Sequence, residues 1–196
     1  MEIDTTQSPL RTLEAWIREA REAGIKDPDA MALATATPAG VPSVRMVLCR
    51  GLDDDGIRFF TNYESRKASE LEPNPYAAAV FHWRELGQQV KVEGSIARSS
   101  AAVSDAYFAS RPRGNRIASI VSPQSQPITS LDDLKDSFAK LEADSEGREL
   151  ARPVHWGGYE LKVKAIELWR ASPVRLHECL RYERVDREWR GARRGP

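Results

Sequence analysis

Cysteine is nearly absent: Cys49 and Cys179 are the only two in 196 residues, too few for a disulfide framework and without metal-ligand spacing. Two ordinary thiols are the expectation. The three histidines, His82, His155 and His177, have no second His or Cys placed to complete a metal site, so no metal is expected. Gly-x-Gly-x-x-Gly and Gly-x-x-x-x-Gly-Lys are both missing, which removes the Rossmann and P-loop ways of holding phosphate, and Gly-x-Ser-x-Gly is missing too. An excess of one charge is also lacking. With Lys+Arg 29 against Asp+Glu 29, no overall field draws the chain to nucleic acid or to a membrane, and neither is expected as a partner. No apolar run approaches the roughly 18 to 20 residues of a bilayer span, and the acidic, Thr-rich start has no signal-peptide pattern. A soluble, cytoplasmic protein is expected. What the chain does have is 41% hydrophobic residues in regular runs, enough length for a real core and no disorder signature.

From Ser8 the order Ser-Pro-Leu-Arg-Thr-Leu-Glu-Ala-Trp-Ile reads as a cap, a Pro at the first helical position and apolar residues at helical spacing, Leu10, Leu13, Ile17 and Ala20, with Gly24 as the stop. We therefore expect an N-terminal helix within residues 1–26 and a single domain over 27–196. In that domain the period changes. Met31 to Thr37, Ser43 to Cys49 and Ile57 to Thr61 are short β-prone runs separated by Pro38-Ala39-Gly40 and Asp53-Asp54-Asp55-Gly56. A short helix from Arg66 to about Leu71 stops at Pro73-Asn74-Pro75, and strands follow at Tyr76 to Trp83 and Gln88 to Ala97. Ser100 to Ser110 and Ser130 to about Ala143 read as helices, and strands return at Gly158 to Val163, Ala165 to Arg170 and Cys179 to Arg184. Short strands at hairpin spacing with inserted helices predict an α+β, mainly antiparallel barrel, closed or partly closed.

The chemistry is carried by basic residues at the joints. In Thr61-Asn62-Tyr63-Glu64-Ser65-Arg66-Lys67 a strand ends and a helix begins, so Ser65 is a candidate cap while Arg66 and Lys67 add charge where free N–H groups emerge, an outline of a phosphate site. A capped surface helix is the plainer reading. Arg45 lies inside an apolar strand and needs a partner, either a bound anion or a structural carboxylate. Tyr107 to Arg116 stops a helix at Pro112 and gathers Arg111, Arg113 and Arg116. If Arg175-Leu176-His177 is extended, Arg175 and His177 share one face over something flat or anionic while Leu176 faces the core.

Taken in order, Arg45-Met46-Val47-Leu48, Phe60-Thr61-Asn62-Tyr63-x-Ser65-Arg66-Lys67-Ala68, Gln89-Val90-x-Val92-x-Gly94, Tyr107-Phe108-x-Ser110-Arg111-Pro112-Arg113, Gln124-Ser125, Trp156-Gly157-Gly158-Tyr159, Glu167-x-Trp169 and Arg175-Leu176-His177 resemble the pyridoxine (pyridoxamine) 5′-phosphate oxidases. The resemblance runs from about Asp27 to Arg184 and implies a split β-barrel homodimer with flanking helices and FMN at the subunit interface. It implies oxidation of pyridoxine or pyridoxamine 5′-phosphate to the 4′ aldehyde, with O2 reoxidising the flavin to give hydrogen peroxide. Carried over by position, the FMN site would comprise Arg45, Met46, Val47, Leu48, Phe60, Thr61, Ser65, Arg66, Lys67, Gln89, Gln124, Ser125 and Trp169, some from the second protomer. Arg50, Tyr107, Arg111 and Asn115 would take the substrate phosphate. Arg175 and His177 would be the catalytic pair covering the pyridine ring.

The chain departs from the family's pattern at Arg50, usually Lys, and at Asn115, usually Ser. Cys179 stands where the family places an FMN-contacting Arg, a loss for which Arg181 is the candidate compensation. The N-terminal Arg-x-x-Tyr cover is missing, Ile117-Ala118-Ser119-Ile120 replaces a Gly-Ala-Trp stretch, and the chain ends Arg193-Arg194-Gly195-Pro196, a tail expected to be solvated. These departures keep two alternatives in view: an FMN oxidase for another flat substrate such as a phenazine precursor, or a non-catalytic FMN or pyridoxal phosphate carrier.

Overall fold

Pro9 opens α1, Pro9–Glu22, with its ring at a position where no helical N–H is required, and Leu10, Leu13, Trp16, Ile17 and Ala20 form its buried face. The computed structural model describes Ile3 and residues 6–195. The acidic start (Met1, Glu2, Asp4, Thr5) and the final Pro196 on which expectations were stated lie outside the described residues.

Nine strands follow: β1 Ala30–Ala36, β2 Pro42–Leu48, β3 Gly51–Leu52, β4 Gly56–Asn62, β5 Tyr76–Trp83, β6 Gln88–Arg98, β7 Trp156–Arg170, β8 Glu178–Val185 and β9 Glu188–Arg193. Four more helices are inserted, α2 Arg66–Leu71, α3 Ala101–Ser110, α4 Arg113–Val121 and α5 Leu131–Asp144. The strands pair antiparallel in the order β2-β1-β5-β6-β7-β4-β3, with β8 on β7 and β9 on β8. Alternate residues of β1 and β5, among them Met31, Leu33, Ala79 and Phe81, are wholly buried, the period-2 pattern of a sheet with one face on a core.

The split in the barrel is made by β7. One edge of this 15-residue strand follows β6 along its length, while its other edge pairs with β4 through Trp156–Lys162 and then with β8 through Ala165–Arg170. Two glycines permit the exchange. A Cβ on Gly56 would lie 2.0 Å from the Leu161 carbonyl oxygen, and one on Gly94 would lie 2.0 Å from that of Lys162, where β7 carries Lys164 as an extra residue opposite the Glu93–Gly94 step of β6. The sequence reading of two strands, Gly158 to Val163 and Ala165 to Arg170, is thus corrected to one. Lys164 is a non-β signal in isolation, but it is the extra residue of a bulge in β7, which shifts the register without ending the strand.

One stretch without an expected element is placed, and two further expectations change. The Ile117 stretch is the middle of α4, because Pro112 ends α3 and then serves as the N-cap of the next helix. The solvated tail is in part a strand: β9 pairs with β8 from Leu180↔Arg193 to Val185↔Glu188, although its side chains stay mostly exposed. Arg175-Leu176-His177 is not extended. It lies in a turn in which Arg175 N–H bonds the Ser172 carbonyl at 3.1 Å, Arg175 has φ +60, and Leu176 is 75% exposed instead of facing the core.

The main core joins α1 to the sheet, and a second cluster, Phe108, Ile117, Leu150 and Trp156, ties α3 and α4 to the start of β7. Burying a side chain such as Phe81 or Leu168 contributes about 1.5–3 kcal/mol each. Between β2 and the α3–α4 pair the two clusters leave a gap. No helix among the described residues is long and apolar enough to cross a membrane.

Candidate functional site

The gap is a cleft of about 960 Å³. One wall is β2, whose Arg45, Met46, Val47 and Leu48 line it, followed by Arg50 at the corner before β3. The floor is Phe60 and Thr61 from β4 with Arg66 and Lys67 from α2; the opposite wall brings Tyr107, Arg111 and Asn115, with Gln124 and Ser125 from the loop beyond α4. Fourteen residues expected on sequence grounds therefore share one cavity.

At the α2 end a buried carboxylate organises the cations. Glu70, with a side chain 3% exposed, accepts from Arg66 Nε at 2.9 Å on one oxygen and from Arg45 Nη2 at 3.3 Å, Ser43 at 2.5 Å and Thr35 on the other. Burial alone would raise its pKa, but the hydrogen bonds from Ser43, Thr35 and Arg66 and the Arg45 charge outweigh burial and hold it at about 2. Arg45's partner in the chain itself is thus a structural carboxylate. Its Nη1 is spent on Thr35 at 2.5 Å and the Leu33 carbonyl at 3.3 Å, its Nη2 on Ser43 and Glu70. Among the described residues neither terminal nitrogen of Arg66 has a partner, and its side chain is 61% exposed. Beside it Lys67 Nζ donates to Thr61 Oγ1 at 3.0 Å, Ser65 Oγ at 3.1 Å and Gln124 Oε1 at 3.0 Å, and burial together with the Arg45 charge pushes this ammonium down to about 8. Ser65 is buried below the cleft, and its hydroxyl donates to the Asn62 carbonyl at 2.7 Å, so it does not cap the helix with its side chain as expected.

The other end carries two more guanidiniums. Arg111 donates to Ser119 Oγ at 2.6 Å and lies 4.7 Å from the Trp156 ring centroid, with no carboxylate partner among the described residues. Burial, and more weakly the Arg50 charge, lower its pKa against an opposing effect of Tyr107. Tyr107 stacks on Phe60 at 3.9 Å and 18°, and the Phe60 ring on Trp156 at 5.6 Å, so an aromatic tier fixes this wall. Arg113 is drawn away to the Ser145 hydroxyl at 2.8 Å and the Arg148 carbonyl at 3.0 Å, where it ties α4 to the end of α5.

Four expected residues lie outside the cleft and near one another. Gln89 and Trp169 are cross-strand neighbours on β6 and β7, and His177 packs on Trp169 at 4.7 Å between ring centroids. His177 Nδ1 accepts from the Ser172 backbone N–H at 3.1 Å, which leaves Nε2 as the proton-bearing nitrogen of the neutral ring. Arg175 is exposed beside them. Cys179, opposite Trp169 in the register, is buried, and burial and then Glu167 push its thiol up. Arg181 does not compensate: Glu93 holds it through two contacts of 3.1 and 3.2 Å and Glu183 through a third of 3.2 Å.

Sequence reasoning missed Glu70, Trp156 and Asp29. Glu70 carried a signal, a carboxylate four residues after Arg66 on one helix face. Asp29, which pairs with Arg50 across a separation of 21 residues, carried none.

The curled antiparallel sheet, split along β7 and flanked by helices around a cationic cleft, defines a split-barrel protein. The family model for pyridoxamine 5′-phosphate oxidase matches residues 17–143, and that for the pyridoxine 5′-phosphate oxidase C-terminal dimerisation region matches residues 156–196. The chain belongs to the pyridoxamine 5′-phosphate oxidase family. Among curated relatives, the pyridoxine/pyridoxamine 5′-phosphate oxidase of Rubrobacter xylanophilus is 47% identical over 96% of this chain and 87% of its own, and that of a Cyanothece species is 45% identical over 100% and 92%. Among solved structures, PhzG from Burkholderia lata in complex with tetrahydrophenazine-1-carboxylic acid superposes with a TM-score of 0.93 at 34% identity, covering 98% of this chain and 95% of that one.

Proposed function

We propose that the protein binds FMN and oxidises pyridoxine or pyridoxamine 5′-phosphate to pyridoxal 5′-phosphate. The observation that carries this reading is the cleft's two separate cationic ends, the free nitrogens of Arg66 with Lys67 at one and Arg50 with Arg111 at the other. Two phosphates, one on the cofactor and one on the substrate, call for two such ends. The donor set at the α2 end fits a phosphate, because Glu70 has already aligned the Arg66 guanidinium by its Nε and left the other nitrogens facing outward. FMN held there would supply the two-electron acceptor, with O2 as the final oxidant and hydrogen peroxide as its product.

The protein's part is to bind and orient. Arg50, Arg111, Tyr107 and Asn115 take the substrate phosphate, and Arg175 and His177 of a second protomer close over the pyridine ring in a homodimer. The likeness to PhzG supports a second reading, a phenazine-type substrate. The paired guanidiniums of Arg50 and Arg111 favour a phosphate dianion over a single carboxylate.

The deciding experiment is anaerobic addition of pyridoxine 5′-phosphate to FMN-loaded protein. The flavin's visible band is expected to bleach and to return on admitting air, with pyridoxal phosphate and peroxide formed. A protein that binds FMN and never bleaches with either B6 phosphate is not this oxidase, and bleaching only by a dihydrophenazine acid selects the second reading.

Lys67 adds a pH dependence. Its ammonium is protonated below about 8 and neutral above, and a neighbouring phosphate favours the protonated form. FMN affinity is therefore expected to fall as pH rises through about 8, with proton uptake on binding near that pH. Riboflavin, which has no phosphate, should show no such fall; an equal fall for both would remove Lys67 from the phosphate site.

A further inference from the structure

Arg50 reaches the cleft from a fixed backbone. Its N–H donates to the Arg58 carbonyl at 2.8 Å, and the preceding Cys49 N–H donates to the Asp29 carbonyl at 2.8 Å, which brings the loop ahead of β1 against the corner after β2. The side chain has more freedom than its backbone, being 36% exposed. A long guanidinium stem at that exposure has many rotamers open to it and loses entropy when a ligand holds one of them. It also faces a like charge: Arg111 lies close enough for the Arg50 charge to be felt there, and nothing in the cleft neutralises either. Left to itself Arg50 would swing toward solvent, away from Arg111.

Asp29 prevents that. Its carboxylate, 13% exposed, sits behind Arg50 and outside the cleft, and its Oδ2 accepts from one terminal nitrogen, Nη1. A guanidinium is a rigid planar fork with five N–H donors, so a carboxylate gripping one edge fixes where the other edge points. Among the described residues no other group bonds the Arg50 guanidinium, and its remaining donors are free to meet an anion in the cleft.

We propose that Asp29 is the positioning residue of the substrate-phosphate end, holding the Arg50 fork so that Arg50 and Arg111 present a preformed pair of guanidiniums to the phosphate of the substrate. This rests on the functional reading above and adds a residue that touches neither substrate nor cofactor. The carboxylate does two things at once. It offsets one of two adjacent positive charges in the empty cleft, and it converts a flexible cation into an oriented one before the ligand arrives.

The test uses FMN-loaded protein, with steady-state kinetics on pyridoxine 5′-phosphate and a direct dissociation constant for pyridoxal 5′-phosphate. Asp29→Asn keeps size and shape but removes the charge. It is expected to raise both KM and the dissociation constant roughly tenfold while kcat stays within about twofold and flavin binding is unchanged. Asp29→Glu should recover most of the affinity. The discriminating background is Arg50→Lys: an ammonium is a point charge that needs no orientation, so Asp29→Asn added to it should cost less than about twofold. A dissociation constant unchanged in Asp29→Asn, or the same loss with Lys at position 50 as with Arg, overturns the proposal. If the wild-type protein binds no pyridoxal 5′-phosphate, the functional reading fails instead, and inorganic phosphate as the probe on the same variants still decides whether Asp29 sets anion affinity.

Discussion

Glu70→Ala is expected to lower the melting temperature of the flavin-free protein by roughly 6–12 °C, the largest stability loss for a single polar change at this site. The carboxylate is 3% exposed and accepts from Arg45, Arg66, Ser43 and Thr35, so its removal strands four donors together. Breaking such a pair costs roughly 3 kcal/mol because the remaining charge stays desolvated. Linkage gives the prediction its signature. With a folded pKa of about 2 against an ordinary value of 4.5, Glu70 contributes stability that is fully present above about 4.5 and is lost as pH falls toward about 2. The stability gap between wild type and Glu70→Ala should therefore be widest near neutrality and close on acidification through that window. Adding FMN should narrow the gap at neutral pH, since a bound phosphate gives Arg45 and Arg66 a substitute counter-charge. A gap independent of pH would mean that Glu70 acts by packing alone.

The same residue shows where sequence reading stops. Most elements were legible because local rules fixed them: Pro9 at the first turn of α1, alternation through β5 and β6, and a stop at Pro73-Asn74-Pro75. The site was legible as an ordered series of motifs, and most of its members do meet in one cleft. The misses are tertiary. Whether Arg45 faces an anion or a carboxylate depends on Glu70 arriving from a helix 25 residues on, and nothing within β2 specifies that. The joining of two expected strands into β7 depends on another strand, β6, which runs on unbroken while β7 accommodates Lys164 opposite it as a bulge. The turn at Arg175 is set by Ser172, whose carbonyl accepts the Arg175 N–H and whose own N–H donates to His177, a local arrangement that the extended reading of three residues did not test.

That turn leads to the second large expectation, which concerns where catalysis is assembled. The cleft holds the cationic residues, while Gln89, Trp169, Arg175 and His177 gather away from it in the region that matches the dimerisation model and its neighbouring strand. The proposed hydride transfer requires the substrate ring to be held at contact distance from the flavin, and the cleft lining includes neither Arg175 nor His177 to cover that ring. Arg175→Ala combined with His177→Ala is expected to keep FMN, because Arg66 and Lys67 are untouched, and to lose roughly a hundredfold or more in turnover. Arg111→Ala should lose activity by a different route, through substrate phosphate binding. Mixing the two variants under conditions that exchange protomers then separates one-chain from two-chain sites. If each site draws its cleft from one protomer and its Arg175–His177 pair from the other, every hybrid dimer has one intact site and one doubly defective site. Random exchange makes half the dimers hybrid, so activity should rise from near zero to about one quarter of wild type. Activity that stays at the level of the two parents after verified exchange would put the cleft and the Arg175–His177 pair on one chain.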